Sequence, residues 1–249
     1  MKAFALFTFI VLTTNAFCTT KLIGSIASIP FYSDNLNSPY KELFKELSLP
    51  FWDVELSVDY YPYKRSLNML LYGETDFHYP VAMSDNKLPK GLRYSTFSTH
   101  SAEFGLFYRS NLTNKITPDL IQEGNTGLLV EAIAPHRDLY FKEYRNLRIA
   151  PCASCGLKKI AGGRIDGFIF EKYAGLKALH VAKITGVKYK KLKSFPIHFL
   201  LRDSESFTLY NEVLRQKFLK AVTNSSLHHM FKTNITRNLT QTNLVSKQD

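Results

Sequence analysis

One pattern that occurs twice constrains the fold of this chain more than any other feature of its sequence. Residues 67–79 (LNMLLYGETDFHY) are echoed at an offset of 90 positions by residues 157–169 (LKKIAGGRIDGFI). In each copy, apolar residues three apart predict the buried face of a short helix, and the glycine that follows suits the left-handed turn that ends it. The aspartate three residues later leads into an apolar run that predicts a buried strand. Each copy therefore predicts a helix, a tight turn and a strand, which is half of a βαβ unit.

The repeat predicts two similar α/β lobes, with one copy in the separate sheet of each lobe. Ahead of the first copy the elements follow in the order β-α-β-α-β, which is typical of a parallel sheet. Asp76 and Asp166 occupy equivalent positions in the two copies. They are a candidate acid–base pair, but their equivalence favours structural capping of the two turns.

The first 18 residues have the layout of a secretory signal peptide. Lys2 is followed by an apolar run from Ala3 to Leu12, interrupted only by Thr8, and then by polar and small residues. That run is too short to span a bilayer comfortably, and no later stretch is long and apolar enough for a membrane helix. We therefore expect residues 1–18 to be a signal peptide and the protein to be periplasmic or secreted. Residues 233–249 are polar and predict a frayed tail.

The formal net charge of +11 is compatible with an anionic partner. Lys and Arg are spread along the chain, except for a cluster at residues 188–193 (KYKKLK), which we interpret as a solvated loop rather than a binding patch. We therefore expect no nucleic-acid partner. The histidines show no spacing suited to a metal, and the common hydrolase, phosphate-loop and zinc-protease motifs are missing, so we expect no metal and no cofactor. The histidines considered are His78, His100, His136 and His198.

Cys152 and Cys155 follow the predicted signal peptide and are spaced as C-x-x-C. Two cysteines need His or acidic partners to make a zinc site, and none lies at ligand spacing. A redox motif would normally follow a strand in a thioredoxin-like setting, whereas this pair precedes the helix of the second copy. In an oxidising compartment a structural disulfide is the simpler interpretation, and reactive thiols are the alternative.

Five short motifs carry a resemblance to a known family. They are IPF at 29–31, YKRSL at 63–67, GETD at 73–76, FS at 97–98 and AGGRID at 161–166. In this order, after an export signal, they resemble the bacterial extracellular solute-binding proteins of the amino-acid-binding type (family 3). The resemblance covers most of residues 20–232. It implies an α/β, two-lobed fold of the type II periplasmic-binding-protein class, in which each lobe is a mixed, mainly parallel sheet flanked by helices.

The resemblance also implies domain boundaries. The first lobe would hold residues 19–108 and 196–232, and the second lobe would hold residues 109–195. The chain would cross a hinge twice, near Tyr108 and near Ser194. A ligand would then be captured between the strand ends where the lobes close.

The ligand contacts of the family carry over only in part. Its members commonly have Thr-x-x-Arg shortly before the Phe-Ser, and that arginine binds the ligand carboxylate by a bidentate fork. Here residues 84–90 (SDNKLPK) have no arginine in register, and Arg93 is the nearest candidate. The carboxylate-cradling turn of the second lobe is altered to APHR at 134–137, which makes His136 and Arg137 candidate contacts.

Two further kinds of residue complete the candidate site. Glu171 lies five residues after the second aspartate, where the family often has an acid that binds the ligand ammonium. Tyr32 and Tyr63 are candidate walls of the pocket, with core packing as the alternative. The candidate ligand-binding residues are therefore Glu171, Arg93, Tyr32, Tyr63, His136 and Arg137.

These features predict an exported binding protein that captures a small polar, amino-acid-like solute by lobe closure and performs no chemistry. The resemblance implies an ABC-type permease or a membrane sensor as its partner, and we expect a monomer. The alternatives are an enzyme on the same scaffold, such as a dehydratase, and a thiol-redox or signalling module. A cleft acid with a strongly raised pKa would favour the enzyme, and a readily reducible cysteine pair would favour the redox module.

Overall fold

A computed structural model of the chain describes residues 20–29, 38–49, 54–84, 88–113, 115–124 and 127–224. The signal peptide expected at residues 1–18, the candidate wall residue Tyr32 and the tail expected at 233–249 lie outside the described residues. Within the described ranges, no helix combines the length and the apolar composition that a membrane crossing requires.

Strands and helices alternate along most of the described chain. The strands are β1 (Thr20–Ala27), β2 (Val54–Tyr61), β3 (Phe77–Ala82), β4 (Leu92–Tyr94), β5 (His100–Arg109), β6 (Val130–Ile133), β7 (Arg148–Ala150), β8 (Gly167–Glu171) and β9 (Val187–Arg202). The helices are α1 (Pro39–Leu47), α2 (Tyr63–Leu71), α3 (Pro118–Glu123), α4 (Ala134–Tyr140), α5 (Ala153–Ala161), α6 (Lys172–Val181) and α7 (Phe207–Asn224). The expectation of a mixed α/β fold is confirmed.

The strands pair in the order β2-β1-β3-β9-β5-β8-β6-β7, and β4 pairs with β9 beside this path. At the first end of the sheet, β1 is parallel to both β2 and β3. At the second end, β6 is parallel to both β7 and β8. The two crossing strands β5 and β9 join these ends and are antiparallel to each other and to their outer neighbours.

Both copies of the sequence repeat therefore belong to one hydrogen-bonded sheet, and the expectation of separate sheets is wrong. The reason is that β5 and β9 pair along the whole of β5, from His100 opposite Ile197 to Arg109 opposite Val187. The hydrogen-bonded path consequently never breaks between the two ends. The pairing of β5 with β9 changes only in register, at a shift between Phe104 and Gly105.

The repeated unit itself is present at both ends. Helix α2 leads through a turn into β3, and helix α5 leads through an equivalent turn into β8. Gly73 and Gly163 lie in these turns with φ angles of 78° and 69°. A residue with a Cβ rarely adopts such angles, and glycine adopts them without steric cost. The predicted order of helix, tight turn and strand is thus confirmed in both copies.

Helix α1 shows how local sequence places part of the site. The hydroxyl of Ser38 accepts a hydrogen bond from the backbone N–H of Lys41 at 3.3 Å, which satisfies one of the free N–H groups of the first turn. Tyr40 and Phe44 then lie one helical turn apart on the buried face of the helix. The Phe44 ring packs on Tyr79 of β3 at a centroid distance of 5.4 Å, so the helix is fixed against the sheet.

Cys152 and Cys155 form a disulfide at the start of α5, with their Cα atoms 5.1 Å apart. The Cys152 sulfur also accepts a hydrogen bond from the backbone N–H of Cys155 at 3.1 Å. The pair therefore closes the first turn of the helix of the second copy.

The basic cluster at residues 188–193 lies within β9, so the interpretation as a loop is wrong. Lys188 pairs with Tyr108, and Lys191 pairs with Gly105. This part of β9 can hold several lysines because their ammonium groups reach solvent. Lys188 and Lys191, for example, are both exposed. The exposed lysines of the cluster are solvated, as expected, but they belong to a strand and not to a loop.

Candidate functional site

A cavity of about 160 Å³ lies where the two ends of the sheet face each other. From the first end, Ser28 and Ile29 follow β1, and Ala82 ends β3. From the second end, Ile133 ends β6 and Glu171 ends β8. The carboxyl ends of parallel strands from both ends of the sheet thus converge on one space, which is where open α/β folds bind their ligands.

The crossing strands form the floor between these strand ends. His100, Ala102 and Phe104 alternate along the first half of β5 and all line the cavity. Residues two apart in a strand point to the same face of the sheet. Ile197 of β9, which is paired with His100, lines the cavity as well.

Glu171 lies at the cavity and also caps a helix. Its two carboxylate oxygens accept hydrogen bonds from the backbone N–H groups of Tyr173 at 2.9 Å and Ala174 at 2.7 Å. The side chain therefore stabilises the start of α6, where a negative charge also suits the helix dipole. A carboxylate can accept about four hydrogen bonds, so this cap is compatible with a ligand contact.

His136 lines the cavity from α4, inside a group of aromatic rings. Its ring lies 4.8 Å from the Phe104 ring in a T-shaped arrangement and 5.2 Å from the Phe170 ring. Burial lowers the pKa of His136 to about 3, so the imidazole is neutral at ordinary pH. Its Nδ1 atom is buried and has no hydrogen-bond partner among the described residues.

His100 is a second neutral imidazole at the cavity, which was considered from the sequence only as a metal ligand. Its Nε2 lies 3.3 Å from the hydroxyl of Tyr40, another lining residue, and its Nδ1 lies 3.0 Å from the hydroxyl of Thr99. Burial lowers its pKa to about 3. The only available signal was the alternation of β5, which could have placed His100 on the same face as Ala102 and Phe104.

A pair of tyrosines joins the two ends of the sheet at the cavity. Tyr63 of α2 hydrogen-bonds Tyr140 of α4, and Tyr140 also hydrogen-bonds the backbone at Ala82. Burial raises the pKa of Tyr63 to about 12, and burial likewise raises that of Tyr140. Both phenols are therefore protonated donors at neutral pH. Tyr63 was expected from the sequence as a wall, whereas Tyr140 was missed.

The structure does not bring the two candidate arginines to the cavity. Arg93 of β4 is half exposed, forms an ion pair with Asp203 at 3.2 Å and stacks on the Phe207 ring at 4.0 Å. Arg137 of α4 forms an ion pair with its neighbour Asp138 at 2.7 Å. In both cases the side chain points to the surface. For Arg93 the reason is that neighbouring residues of a strand point to opposite faces, and its neighbour Leu92 takes the buried face of β4.

A larger depression of about 560 Å³ lies on the surface beside α3. Its lining is mostly charged and comes from the second end of the sheet alone; it includes Asp119, Glu123, Glu143 and Arg145. It lacks the convergence of strand ends that marks the smaller cavity. Among the described residues, no group of His, Cys, Asp and Glu is arranged to hold a metal ion.

A scan against protein-family models finds no match, and a search of curated proteins finds none either. Solved structures do match over most of the chain. A histidine kinase sensor domain with similarity to periplasmic binding proteins has a TM-score of 0.66 at 14% identity, over 86% of this chain and 95% of that one. An amino-acid ABC transporter substrate-binding protein from Streptococcus pneumoniae, bound to L-arginine, has a TM-score of 0.61 at 14% identity, over 86% and 94%.

A third structure is relevant to the question of catalysis. It is an ancestral amino-acid-binding protein described as a precursor of cyclohexadienyl dehydratase, with a TM-score of 0.62 at 14% identity over 85% of this chain and 95% of that one. At these identities the likeness concerns the fold.

Proposed function

Because the chain has the fold of type II periplasmic binding proteins, we propose that it is an exported solute-binding protein that captures a small polar solute between two lobes. The observation that carries this proposal is the cavity, which is lined by strand ends from both ends of the sheet and by the two crossing strands. A solute held there contacts both halves of the molecule, so its binding favours the arrangement in which they are closed.

In this proposal the lobes are residues 19–108 with 196–232 and residues 109–195. Strands β5 and β9 are then the two hinge crossings, and the register shift at Phe104 and Gly105 is a natural place for them to bend. The hydrogen bond between Tyr63 and Tyr140 is then a contact between the two lobes. This contact would stabilise the closed arrangement once a solute is bound.

We infer the kind of partner from the proteins of similar structure. A periplasmic or secreted monomer would deliver its solute to an ABC-type permease or present it to a membrane sensor. The similar structures include one protein of each kind, a transporter substrate-binding protein and a kinase sensor domain. The charge of +11 would affect how the protein meets such a partner rather than how it folds.

Binding without chemistry is favoured over an enzyme on the same scaffold. A general acid or base works best when its pKa lies near the working pH. The pKa values of His100 and His136 are held at about 3, far below that range. The carboxylate of Glu171 is engaged with two backbone N–H groups of α6. The likeness to a dehydratase precursor keeps the enzyme as the second candidate.

A thermal-shift screen of amino acids, polyamines, organic acids and small amines tests the proposal, because a solute that binds only the folded state raises its melting temperature. The matched control is Ala102→Leu, which adds bulk at the cavity floor. A true ligand should stabilise the unaltered protein and leave this variant unchanged. A screen in which every stabilising compound acts equally on both proteins would contradict the proposal.

A further inference from the structure

The charge of the cavity lining is unusual for a site that takes an amino acid. Among the described lining residues, Glu171 carries a formal negative charge, and none is Lys or Arg. Residues 30–37 (PFYSDNLN), which join the lining residue Ile29 to α1, also contain no Lys or Arg in their sequence. The carboxylate of Glu171 accepts backbone hydrogen bonds from Tyr173 and Ala174, and its remaining acceptor capacity and its negative charge favour a ligand that donates hydrogen bonds and carries a positive charge.

The start of α4 does little to replace the missing cation. A helix N-terminus can bind an anion through its free N–H groups. Here α4 is short, and Pro135 in its first turn lines the cavity. Proline has no N–H, so it removes one of the donors that a ligand carboxylate would use. Among the described lining residues, no cationic side chain is therefore available to the carboxylate of an amino acid.

The rings that line the cavity suit a cation instead. Tyr40, Tyr63, Phe104, Tyr140 and Phe170 all contribute to the lining. The Phe104 ring lies 5.5 Å from the Tyr140 ring, so these two walls meet at a corner. The face of an aromatic ring carries negative potential and attracts an ammonium group, most strongly when the cation is desolvated.

The imidazoles complete this setting without adding positive charge. Because burial keeps His100 and His136 neutral, neither repels a cation. The buried Nδ1 of His136, which has no partner among the described residues, can accept a hydrogen bond when its ring carries the proton on Nε2. Glu171 supplies the single formal negative charge among the described lining residues.

The volume bounds the size of the ligand. A dry cavity of about 150 Å³ in another protein holds a benzene molecule, and this one is about 160 Å³. We propose that the cavity takes a small organic ammonium ion that has no carboxylate and is about the size of a substituted benzene ring. The inference rests on the proposed function and names the chemical class of its solute.

Three probes of similar size separate charge from shape. Benzylamine is a cation, benzyl alcohol is its neutral counterpart, and L-phenylglycine adds a carboxylate to the amine. In calorimetric titration of the full chain we expect benzylamine to bind at least about tenfold more tightly than either of the others, as ring and carboxylate contacts to a desolvated cation imply. Tetramethylammonium keeps the positive charge but donates no hydrogen bond, and we expect it to compete with benzylamine.

The other outcomes overturn the inference in distinguishable ways. Equal binding of benzylamine and benzyl alcohol would mean that charge is not recognised, and the proposed solute-binding function would stand. Tight binding of L-phenylglycine would mean that an amino acid is the solute, and the function would again stand. If none of the probes binds, the inference is wrong, and the wider screen described above decides the function separately.

A pair of variants links the selectivity to Glu171. We expect Glu171→Gln to lower the affinity for benzylamine at least about tenfold and to leave benzyl alcohol unchanged, because only the amine pairs with the carboxylate. The control is Asp138→Asn, which removes the same charge from an exposed side chain of α4 that does not line the cavity. Unchanged selectivity in Glu171→Gln would contradict the inference. Should loss of the α6 cap unfold that variant, the probe comparison on the unaltered protein decides alone.

Discussion

Asp76 and Asp166 hold the same position at opposite ends of one sheet, 90 residues apart in sequence. Each carboxylate accepts a backbone hydrogen bond at 2.9 Å and pairs with an arginine of a crossing strand at 3.2 Å. The backbone donors are the N–H groups of Ile23 and Leu129, and the arginines are Arg202 and Arg109. Both aspartates thus have a structural role, as expected, but not as caps of their turns: each ties a repeated turn to a neighbouring segment and to a crossing strand.

The two aspartates should consequently contribute similar amounts to stability. We expect Asp76→Ala and Asp166→Ala each to lower the free energy of unfolding by about 2 kcal/mol, because a backbone N–H loses a charged acceptor. Asn keeps an acceptor oxygen, so the Asn variants should lose about half as much. Denaturant unfolding measures these values.

A surface aspartate provides the comparison for this prediction. Asp203 forms an ion pair with Arg93 in which both side chains are about half exposed. Such pairs contribute little, so Asp203→Ala should change stability by less than about 0.5 kcal/mol. A loss at Asp203 as large as that at Asp76 would contradict the special role of the repeated aspartates.

Two adjacent glycines give a test of the second turn. Gly163 has a φ of 69°, whereas Gly162 has a φ of −81°, which any residue can adopt. We expect Gly163→Ala to lower the free energy of unfolding by about 1 kcal/mol or more, because alanine is strained at positive φ. Gly162→Ala should be neutral or slightly stabilising, since it restricts the unfolded chain at no cost to the folded one. Equal effects at the two positions would be inconsistent with the turn as described.

The repeat made much of the local structure predictable. Helix, left-handed glycine and strand are encoded within thirteen residues by spacing and by one special backbone position, so both copies could be found without a structure. The continuity of the sheet could not be found in this way. It depends on the pairing of β5 with β9, which joins residues far apart in sequence and leaves no local pattern.

The candidate site was likewise predictable in part from the sequence. Glu171 could be placed at a strand end because an apolar run precedes it directly, and the structure has it there. Tyr140 and His100 were missed because a tyrosine or histidine on a buried face usually indicates core packing. Arg93 was chosen by its distance from a motif in the sequence, but the short strand β4 carries its side chain to the surface. Whether such a residue reaches the cavity depends on the direction of its side chain, which its position in the sequence does not reveal.

The buried histidines predict how stability depends on pH. The pKa values of His78, His100 and His136 are lowered by burial to about 3 in the folded protein, against about 6.5 in an unfolded chain. Between these values the unfolded state binds more protons, so stability falls as the pH falls from about 6.5 towards 3. We expect each of the three histidines to lower the free energy of unfolding by about 2 kcal/mol when the pH falls from about 7 to about 5.

A variant isolates this contribution. His78 is fully buried, with its Nδ1 2.6 Å from the hydroxyl of Ser66, whereas His180 of α6 is exposed. In urea unfolding at both pH values, His78→Asn should lose about 2 kcal/mol less stability on acidification than the unaltered protein. His180→Asn should behave as the unaltered protein does. A pH dependence that is the same in all three would show that His78 does not stay neutral in the folded state.

If a solute binds in the cavity between the two ends of the sheet, filling that cavity with a larger side chain should weaken its binding. Ala102 lines the cavity floor and is almost fully buried, whereas Ala161 at the end of α5 is exposed. The measurement is calorimetric titration of the solute found in the screen into the unaltered protein, Ala102→Leu and Ala161→Leu. We expect unchanged binding in Ala161→Leu and a loss of affinity of at least about tenfold in a folded Ala102→Leu, because the added side chain occupies space that the solute needs. Full affinity in Ala102→Leu would place the solute elsewhere on the protein and would rule out binding in this cavity.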